Sequence, residues 1–448
     1  MELNKAVLPV SDRTEETPTL ATWLVRLGSA SNPLTPPWIV RLDEVERLVL
    51  GRSDAETAPR PAGTHRCEAD DPWMSAQHAE LLRTPEGWRL SDLGSSNGTL
   101  IWGQRCSTGL LSTGDVFETG STFWMFRAEV VAEPVETAPS GTDELTTISP
   151  RVATLHRRLA KVAQSRVPLV IRGPTGCGKE VLARAAHRFS GRSGRLITLD
   201  LGIIPPQLLA QELYGVEPGV PGERPRAGRL RAAHGGTVIL DQLADMSPEV
   251  QVALLRVIQD GEVTPVGADR PVKVDLRFVC TTHEDVEALV AQHRFRPDLW
   301  ARLRGFVIEV PPLAARLEDM GLFVGRFLER LGLSHLRFSP AAYRALLTYR
   351  WPHDVRELAR QVESAAALSD GKRIELTDLS TELQEQPPPR TANERSSEDT
   401  RERELLRLLA AHRGNVSAVA RSMGYSRMQV HRWMKQMDVD PNHFRSSS

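Results

Sequence analysis

The spacing at which hydrophobic residues recur differs between successive regions of the chain. Between residues 23 and 127, short runs alternate apolar and polar residues, as at 46–50 and 88–90, with Gly, Asn and Ser between them. Alternation of this kind predicts strands with one buried face. Many short strands joined by turns indicate an all-β sandwich.

The middle of the chain alternates between strand-like and helical patterns. An apolar run at 168–171 leads into a glycine-rich turn and a helical pattern at 180–189, and a second strand-like run follows at 237–240. This order predicts a parallel α/β sheet. From 317 to about 383 the pattern is mainly helical, and a short helical region at 401–440 ends the chain.

Length and composition agree with several soluble domains. The chain has 448 residues, of which 40% are hydrophobic and 25% charged, and its net charge is -1. A chain of this length is expected to contain two to four domains. The compositions of 132–142 and of 384–400, with its three prolines, are typical of linkers.

The spacing of the cysteines and the hydropathy of the chain indicate the cellular compartment of the protein. The four cysteines are scattered and lack metal-ligand spacing, which favours a reducing cytoplasm over a disulfide scaffold. No apolar run has the length of a membrane span, and the N-terminus carries no signal-peptide pattern. We therefore expect a cytoplasmic protein with no membrane partner.

A glycine-rich segment lies between the apolar run and the helical pattern of the middle region. Its residues are Gly173, Pro174, Thr175, Gly176, Cys177, Gly178, Lys179 and Glu180. Glycines let backbone N–H groups turn toward phosphate oxygens, and a helix N-terminus adds positive potential. Lys179 is expected to reach the β- and γ-phosphates, so we predict that this segment binds ATP. An ordinary glycine-rich turn is the alternative, but the strand–loop–Lys–helix order favours phosphate binding.

The second apolar run of the middle region ends in Asp241 and Gln242. An Asp at the end of such a strand can hold Mg²⁺ directly or through water, so Asp241 is a candidate metal ligand and Mg²⁺ a candidate cofactor. Glu180 follows the lysine where a Ser or Thr is usual, and the usual hydroxyl ligand of Mg²⁺ is therefore absent.

Linked motifs in the middle region resemble those of the sigma-54 dependent activators, also called bacterial enhancer-binding proteins. Besides the glycine-rich segment and the Asp241 strand, they are Glu212-Leu213-Tyr214-Gly215, Gly235-Gly236-Thr237, Phe295-Arg296-Pro297-Asp298-Leu299 and Trp351-Pro352-His353-Asp354-Val355-Arg356-Glu357-Leu358. The resemblance covers about 145–383. It implies an α/β AAA+ P-loop domain at 143–312 that binds ATP and a helical lid at 313–383.

The same resemblance implies roles for three arginines. Arg296 and Arg302 would act as arginine fingers on a neighbour's ATP, and Arg356 would sense the nucleotide from the lid. A guanidinium can neutralise charge that develops on the γ-phosphoryl group. Fingers supplied by a neighbour imply self-association into a ring.

The chain also departs from the family pattern. Where the family carries a Gly-Ala-Phe-Thr-Gly-Ala loop that grips the sigma factor, this chain has a shorter segment without the Phe-Thr tip, Gly219-Val220-Pro221-Gly222-Glu223-Arg224. Gln242 stands where the family has a catalytic Glu, and an amide cannot accept a proton from water. Asp200 and His283 replace two further Asn residues of the family. We therefore expect ATP to be bound without rapid turnover, although a Gln can still orient water.

Three motifs in the β-rich region resemble a forkhead-associated (FHA) domain. They are Gly51-Arg52, Ser75-Ala76-Gln77-His78 and Asp92-Leu93-Gly94-Ser95-Ser96-Asn97-Gly98-Thr99. The resemblance covers 20–131 and implies that Arg52 and Ser75 bind the phosphate of a phosphothreonine partner. Ser96 and Asn97 would hold the peptide backbone, and His78 would brace the loops. A dianionic phosphate suits a guanidinium together with hydroxyl and amide donors on rigid loops.

The end of the chain is basic. Between residues 401 and 435 there are eight Lys and Arg side chains against two Glu side chains. Ala420, Gly424 and Val430 have the spacing of a helix-turn-helix, and Asn415 is a candidate N-cap for a helix from 416. The region resembles the Fis-type domain of enhancer-binding proteins. Its second helix is predicted to enter the major groove, with base or phosphate contacts from Ser426, Arg427, Gln429 and Arg432.

These patterns leave three hypotheses open. The first is a DNA-bound transcription regulator that senses a phosphothreonine partner and changes its oligomeric state with ATP. The second is an active ATPase that remodels sigma-54 RNA polymerase. The third is a scaffold without hydrolysis, independent of sigma-54. In each of them the tail is expected to pair on a palindromic DNA site.

Overall fold

The computed structural model describes residues 19–53, 66–131, 143–200 and 208–385, together with residues 408, 409, 412, 415–423, 428, 430 and 434. The predicted linker at 132–142 lies outside the described residues, as does all but the start of the one at 384–400. No helix in the described part of the chain combines the length and apolar character that crossing a bilayer requires.

The first region is the predicted all-β sandwich. It contains β1 (Thr19–Ser29), β2 (Trp38–Arg41), β3 (Arg47–Arg52), β4 (Arg66–Ala69), β5 (Ala79–Thr84), β6 (Gly87–Asp92), β7 (Thr99–Ile101), β8 (Gln104–Arg105), β9 (Thr108–Leu110), β10 (Val116–Thr119) and β11 (Thr122–Val131). One sheet has the order β2-β1-β11-β10-β7-β8, and the other β4-β3-β5-β6-β9. Alternate residues point inward, as in β6, where Trp88 and Leu90 are buried while Arg89 between them is exposed.

The middle region is an α/β domain around a parallel sheet. The sheet strands are β12 (Leu169–Arg172), β13 (Leu196–Asp200), β16 (Thr237–Asp241), β19 (Arg277–Thr282) and β20 (Phe306–Glu309), in the order β13-β16-β19-β12-β20. All four neighbouring pairs are parallel. The carboxyl ends of these strands therefore meet at one edge of the sheet, where ligands bind in open α/β folds.

In the described residues of this region, seven α-helices and two small hairpins surround the sheet. The helices are α1 (Pro150–Ala163), α2 (Lys179–Phe189), α3 (Leu209–Tyr214), α4 (Arg229–Ala232), α5 (Pro248–Asp260), α6 (Val286–Ala291) and α7 (Pro297–Leu303), and the hairpins pair β14 (Gly215–Val216) with β15 (Arg226–Ala227) and β17 (Glu262–Val263) with β18 (Val272–Lys273). Local sequence fixes several ends. At α5 the Ser247 hydroxyl accepts a hydrogen bond from the Val250 N–H, and Gly261 closes the helix at φ 67°.

The lid consists of four helices and a short parallel strand pair. These are α8 (Met320–Arg330), α9 (Pro340–Thr348), α10 (Asp354–Leu368) and α11 (Thr381–Gln384), with β21 (Arg337–Phe338) beside β22 (Arg373–Ile374). Ser339 caps α9, with its hydroxyl accepting from the Ala342 N–H and Pro340 at the first helical position.

A single hydrophobic core runs through both the sandwich and the lid. The Phe123 ring of β11 lies 5.1 Å from the Tyr343 ring of α9, and Tyr343 also meets Phe338 edge-on at 5.7 Å. A Cβ added to Gly321 of α8 would lie 2.2 Å from the carbonyl oxygen of Leu27 in β1. The two domains are therefore packed as tightly as the interior of one domain.

Two ion pairs cross the same boundary. Arg344 of α9 makes two hydrogen bonds to Glu118 of β10, at 2.5 and 2.7 Å, and the Glu118 side chain is only 1% exposed. Arg127 of β11 donates to Glu318, just before α8, at 3.0 Å. Burial raises the pKa of Glu118, and the Arg344 guanidinium opposes that rise.

The described part of the tail contains one continuous helix, α12 (Val416–Met423). Asn415 caps it as predicted, because its side-chain oxygen accepts a hydrogen bond from the Ala418 N–H at 3.2 Å. A small apolar cluster underlies the tail and contains Leu408, Leu409, Val416, Val419, Ala420, Val430 and Met434.

Candidate functional site

The glycine-rich segment forms a loop at the carboxyl edge of the parallel sheet. It joins β12 to α2, and Gly176 and Gly178 adopt φ 87° and 98°, which side chains other than glycine rarely tolerate. The Lys179 ammonium donates to the carbonyl oxygens of Gly173 and Pro174, both at 2.8 Å. Burial lowers the pKa of Lys179. A desolvated cation on a glycine-rich loop at a helix N-terminus is suited to anionic phosphate oxygens.

The lid closes directly onto this loop. A Cβ at Gly176 would lie 2.1 Å from the carbonyl oxygen of His353 and 3.1 Å from Cβ of Arg356. The predicted nucleotide sensor Arg356, on the first turn of α10, therefore lies against the phosphate loop. Asp354 beside it adopts φ 57°, is buried, and accepts the Leu313 N–H at 3.0 Å.

The two candidate residues at the end of β16 sit at the same edge. The Thr281 hydroxyl donates to the Asp241 carboxylate, and Asp241 is in register with Asp200 of β13. Gln242 adopts φ 54°, donates its N–H to the Thr281 hydroxyl at 3.3 Å, and has an exposed side chain. The exposed His283 follows β19, with its imidazole 3.9 Å from Glu284.

The protein groups that could hold Mg²⁺ are few. Glu180 points away from the loop and pairs with Arg184 on the surface of α2 at 2.6 Å. Among the described residues no three His, Cys, Asp or Glu side chains form a cluster that could hold a metal ion. Asp241 with water and phosphate oxygens is a donor set that suits Mg²⁺, which keeps several waters and binds few carboxylates.

A cavity of about 180 Å³ opens beside the phosphate loop, between α2 and the lid. Its walls are mainly apolar and include Leu145, Val152, Val355 and Phe327. Its volume is small against the ~300–1,000 Å³ of typical ligand pockets, and an apolar slot next to a phosphate loop suits a flat base.

Two basic residues line this cavity and were not identified from the sequence, the buried Arg316 and the half-buried His156. Arg316 donates to the Cys177 carbonyl at 2.8 Å, yet its Nε has no hydrogen-bond partner in the described residues. Burial, and then the nearby Arg316, lower the pKa of His156 to about 4. His156 is therefore neutral at pH 7. Neither residue belongs to a spacing motif, so only the folded arrangement identifies them.

The predicted arginine fingers lie on the surface at α7. Arg296 immediately precedes the helix and makes two hydrogen bonds to Asp298, at 2.7 and 3.0 Å. Arg302 is exposed near the end of the helix. Within the described residues neither side chain bonds to the phosphate loop of its own chain. An exposed pair such as Arg296–Asp298 is worth only about 0–1 kcal/mol and can be broken readily.

The segment 219–224 stands where the family pattern has its sigma-contacting loop, and hydrogen bonds hold it to the rest of the domain. The loop residue Glu223 accepts a hydrogen bond from Gln211 of α3 at 2.6 Å. Arg226 of β15 bonds to the same Gln211 at 2.9 Å and to Glu212 at 3.0 Å. Apart from the half-buried Val220, the tip at 219–224 consists of exposed residues. The tip therefore exposes Gly, Pro, Glu and Arg residues and no large apolar side chain.

The predicted phosphopeptide residues gather at one end of the sandwich, at the end of β3 and on the loops after β4 and β6. The Ser96 N–H donates to the Ser75 hydroxyl at 3.1 Å, and the Ser75 N–H donates to Nδ1 of His78 at 3.1 Å. The other ring nitrogen of His78 lies 3.2 Å from the carbonyl oxygen of Gly98, to which it must donate. His78 thus joins two loops as a neutral ring, and burial lowers its pKa.

The remaining two residues complete this end of the sandwich. Arg52 ends β3 with an exposed side chain that makes no hydrogen bond or ion pair within the described residues. The Asn97 side-chain amide donates to the carbonyl of Trp73 at 2.7 Å, which leaves its oxygen to accept from a ligand. Asp92 holds the 94–98 loop by accepting from Ser95 and Thr99 at 2.6 and 2.7 Å.

The turn that immediately precedes α8 contacts both the sandwich and the nucleotide region. Glu318 accepts from Arg127 of the sandwich, and the adjacent Asp319 accepts from the Thr147 hydroxyl and the Ile148 N–H at 2.8 Å. Thr147 and Asp319 both line the cavity beside the phosphate loop.

The four predicted DNA-contacting residues Ser426, Arg427, Gln429 and Arg432 lie outside the described residues.

Comparison with protein families agrees with this arrangement. A model of the sigma-54 interaction domain matches residues 145–309, a model of the AAA+ ATPase lid domain matches 314–396, and a model of the FHA domain matches 48–120. The predicted AAA+ fold with its helical lid and the predicted FHA sandwich are thereby confirmed.

Comparison with individual proteins places the chain among transcription regulators. It is 32% identical to the transcriptional regulatory protein GlrR of Escherichia coli K12, over 71% of this chain and 74% of that protein. It is 38% identical to ZraR of the same strain, over 62% of this chain and 65% of ZraR. The crystal structure of NtrX from Brucella abortus in complex with ATP is 32% identical and superposes with a TM-score of 0.50, over 66% of this chain and 70% of that one.

Other relatives match over a smaller share of their length. The acetoin catabolism regulatory protein of Cupriavidus necator is 37% identical over 69% of this chain, but this chain covers 50% of that protein. The chain thus spans about half to two thirds of several curated relatives that it matches. The identity to GlrR over three quarters of that protein, together with the three domain matches, shows that the chain belongs to the family of sigma-54-dependent transcriptional regulators and joins an AAA+ domain and its lid to an FHA domain.

Proposed function

We propose that the protein is a cytoplasmic, sequence-specific DNA-binding regulator that binds ATP with Mg²⁺ and reads a phosphothreonine partner. We propose domain limits of 20–131 for the FHA domain, 143–312 and 313–383 for the two AAA+ parts, and 401–440 for a Fis-type helix-turn-helix. One observation carries the proposal: the phosphate loop, Asp241, Arg356 and an apolar cavity converge at one edge of the parallel sheet.

Nucleotide binding is supported by two basic groups of this site. The Nε of Arg316, a residue that lines the cavity, has no hydrogen-bond partner in the described residues, and the desolvated Lys179 lies in the phosphate loop next to that cavity. Buried polar groups without partners are rare in native proteins unless a ligand or water completes them. The similar NtrX has been crystallised with ATP and with ADP.

Slow or absent hydrolysis is the favoured form of this function. Asp241, Gln242, Arg296 and Arg302 are the proposed catalytic set, with Asp241 as the metal ligand. Gln242 cannot take a proton from the attacking water, and losing a general base typically costs ~10²–10⁴-fold in rate. Nucleotide would then set the conformation and the oligomeric state, a dimer or a ring in which Arg296 and Arg302 face a neighbour's ATP.

A scaffold that works without sigma-54 is the second candidate function. The tied, polar 219–224 segment favours it, because this tip lacks the apolar side chains that would grip a sigma factor. An ATPase that remodels sigma-54 RNA polymerase remains the alternative to both.

The DNA-binding proposal rests on the tail. The capped α12 and the apolar cluster beneath it supply the first helix and the core of a small helical domain. Ser426, Arg427, Gln429 and Arg432 are the proposed contacts of the following helix. Domains of this kind usually pair, which favours a palindromic site with half-sites about one helical turn apart.

Mapping of bound DNA in cells with and without sigma-54 tests the regulator. We expect discrete sites that share a palindrome and lie upstream of sigma-54 promoters. Retention of the sites with unchanged transcription of the neighbouring genes after loss of sigma-54 would support the scaffold instead. Absence of any enriched sequence would refute specific DNA binding.

Arg52→Ala is expected to weaken binding of phosphothreonine peptides at least ~100-fold, because a charge-assisted bidentate contact to the phosphate is lost. Fluorescence anisotropy of a labelled phosphothreonine peptide library measures the effect. Arg89→Ala, which removes an exposed arginine from the middle of β6, is the matched control and should bind like the wild type. Undiminished binding by Arg52→Ala would show that the phosphate lies elsewhere.

A further inference from the structure

Arg127, a residue of the sandwich, reaches across the domain boundary to the turn that precedes α8. It lies in β11, and its side chain is 16% exposed. Its Nε donates to the Glu318 carboxylate at 3.0 Å, and its Nη2 lies 3.0 Å from the same oxygen. The Glu318 side chain is only 5% exposed. Removal of one partner from a pair shielded in this way leaves a buried charge without compensation.

The Glu318 carboxylate depends on Arg127 to remain charged where it lies. Burial raises the pKa of Glu318, the Arg127 guanidinium opposes that rise, and the adjacent Asp319 adds to it. The second carboxylate oxygen of Glu318 has no hydrogen-bond partner among the described residues. Without Arg127, two neighbouring buried carboxylates would face each other uncompensated on the sandwich side. The turn would then have to move so that water reaches Glu318.

Asp319, the next residue of this turn, forms part of the wall of the cavity beside the phosphate loop. It is 1% exposed and accepts hydrogen bonds from the Thr147 hydroxyl and the Ile148 N–H, both at 2.8 Å. The Ser149 N–H, just before α1, donates to the same carboxylate at 3.3 Å. Asp319 therefore fixes the segment 147–149, and Thr147 of that segment lines the cavity.

Arg316, at the other end of the turn 316–319, holds a second part of the cavity wall. It donates to the Cys177 carbonyl in the phosphate loop at 2.8 Å and lies 3.6 Å from the Asp354 carboxylate at the start of α10. Arg316 and Cys177 both line the cavity. Since Arg316 is only two residues before Glu318, a movement of Glu318 toward water would displace this part of the wall as well.

We propose that Arg127 of the sandwich is a positioning residue of the nucleotide site, which it supports through Glu318 and the turn 316–319. This inference rests on the proposed nucleotide binding and adds that the cavity of the AAA+ domain keeps its shape only while the FHA domain is docked. Arg127 allows a buried carboxylate to stay in place, so both parts of the wall that this turn holds stay in place with it. A site held within a few tenths of an ångström needs such support from residues that do not touch the ligand.

Calorimetry on the full chain tests this proposal, with ATP and inorganic tripolyphosphate as separate ligands and Mg²⁺ present with each. Tripolyphosphate needs only the phosphate loop, which is held by contacts of its own, such as that of Lys179 to the Gly173 carbonyl. We expect Arg127→Met to weaken ATP binding about tenfold or more, because the cavity wall shifts. Binding of tripolyphosphate should change by no more than about twofold, as for a site that is not coupled to the substitution.

Three further variants of the pair distinguish positioning from a general loss of stability. Arg127→Lys keeps a cation beside Glu318 and should bind ATP within about threefold of the wild type. Arg127→Met/Glu318→Met leaves no buried charge at this place and should recover most of the lost ATP affinity. Arg127→Gln keeps one N–H donor for Glu318 and should lose about threefold in ATP affinity. It takes the place of Arg127→Met should that variant fail to fold.

Two other ion pairs provide the controls. Arg344→Met breaks the second pair across the boundary between sandwich and lid, in which the buried partner Glu118 faces α9 and not the turn 316–319. Arg41→Met breaks an exposed pair with Asp43 inside the sandwich. Both variants should bind ATP within about twofold of the wild type, since neither residue contacts the turn. Tryptophan fluorescence during heating identifies a temperature at which every variant is folded.

Several outcomes would overturn the proposal. Unchanged ATP affinity in Arg127→Met would show that the turn holds its place without the sandwich. Equal weakening of ATP and tripolyphosphate would assign Arg127 a purely structural role, and an equal loss in Arg344→Met would assign the effect to domain docking in general. Each of these results defeats this inference alone. A wild-type protein that binds neither ligand defeats the proposed nucleotide binding itself.

Discussion

Arg344→Met is expected to lower the free energy of unfolding by about 3–5 kcal/mol, because it leaves the Glu118 carboxylate buried without its partner. The Glu118 side chain is 1% exposed, and both of its oxygens receive hydrogen bonds from Arg344. Denaturant unfolding followed by tryptophan fluorescence measures the loss, since buried tryptophans such as Trp124 report on the sandwich.

Two further variants separate charge burial from loss of packing. In Glu118→Met/Arg344→Met no charge stays buried, so most of the lost stability should return. Arg373→Met breaks an exposed pair with Glu375 in the lid and should cost less than about 1 kcal/mol. A loss for Arg344→Met as small as that of Arg373→Met would show that water reaches Glu118 and that the two domains separate easily.

The joint between sandwich and lid could not be predicted from the sequence. Glu118 and Arg344 are 226 residues apart, and each alone has the appearance of a surface charge. The linker-like composition of 132–142 carries no information on whether the domains before and after it touch. Only the close packing of Gly321 against Leu27, and of Phe123 against Tyr343, reveals the shared core.

The candidate sites were predictable where a local motif dictates geometry. The spacing of glycines around Lys179 prescribes a loop between a strand and a helix, and the structure has β12 and α2 at its ends. The Asn415 cap follows from the preference of Asn for helix N-termini. In the FHA region the motifs of three separate loops meet, as the bond between Ser96 and Ser75 shows.

Residues that act through tertiary contacts could not be identified from the sequence. Arg316 and His156 line the cavity from the lid and from α1, and neither has a fixed spacing to the phosphate loop. Asp71 and Trp73 precede a recognisable motif, yet their contacts involve Ser121, Thr122 and Asn97 in other loops. Long-range contacts of this type depend on how elements pack, which local patterns do not encode.

Gln242→Glu is expected to raise steady-state ATP hydrolysis by about 10²–10⁴-fold if the general base is the missing component. Gln and Glu have nearly the same shape, so the left-handed backbone at this position, φ 54°, should be kept. The side chain is exposed at the carboxyl edge beside Asp241, so a carboxylate there could take a proton from water that attacks the γ-phosphate. Phosphate release measured at several protein concentrations gives the rate and shows whether it depends on assembly.

Two further variants test whether the gain depends on the new carboxylate and on a neighbouring chain. Gln292→Glu adds the same charge at the exposed end of α6 and should leave the basal rate unchanged. In the Gln242→Glu background, Arg296→Ala should abolish the gain if a neighbour's guanidinium stabilises the γ-phosphoryl charge. A gain that survives Arg296→Ala would place hydrolysis within a single chain. A Gln242→Glu protein that binds ATP and assembles but hydrolyses no faster would show that the general base is not the missing component.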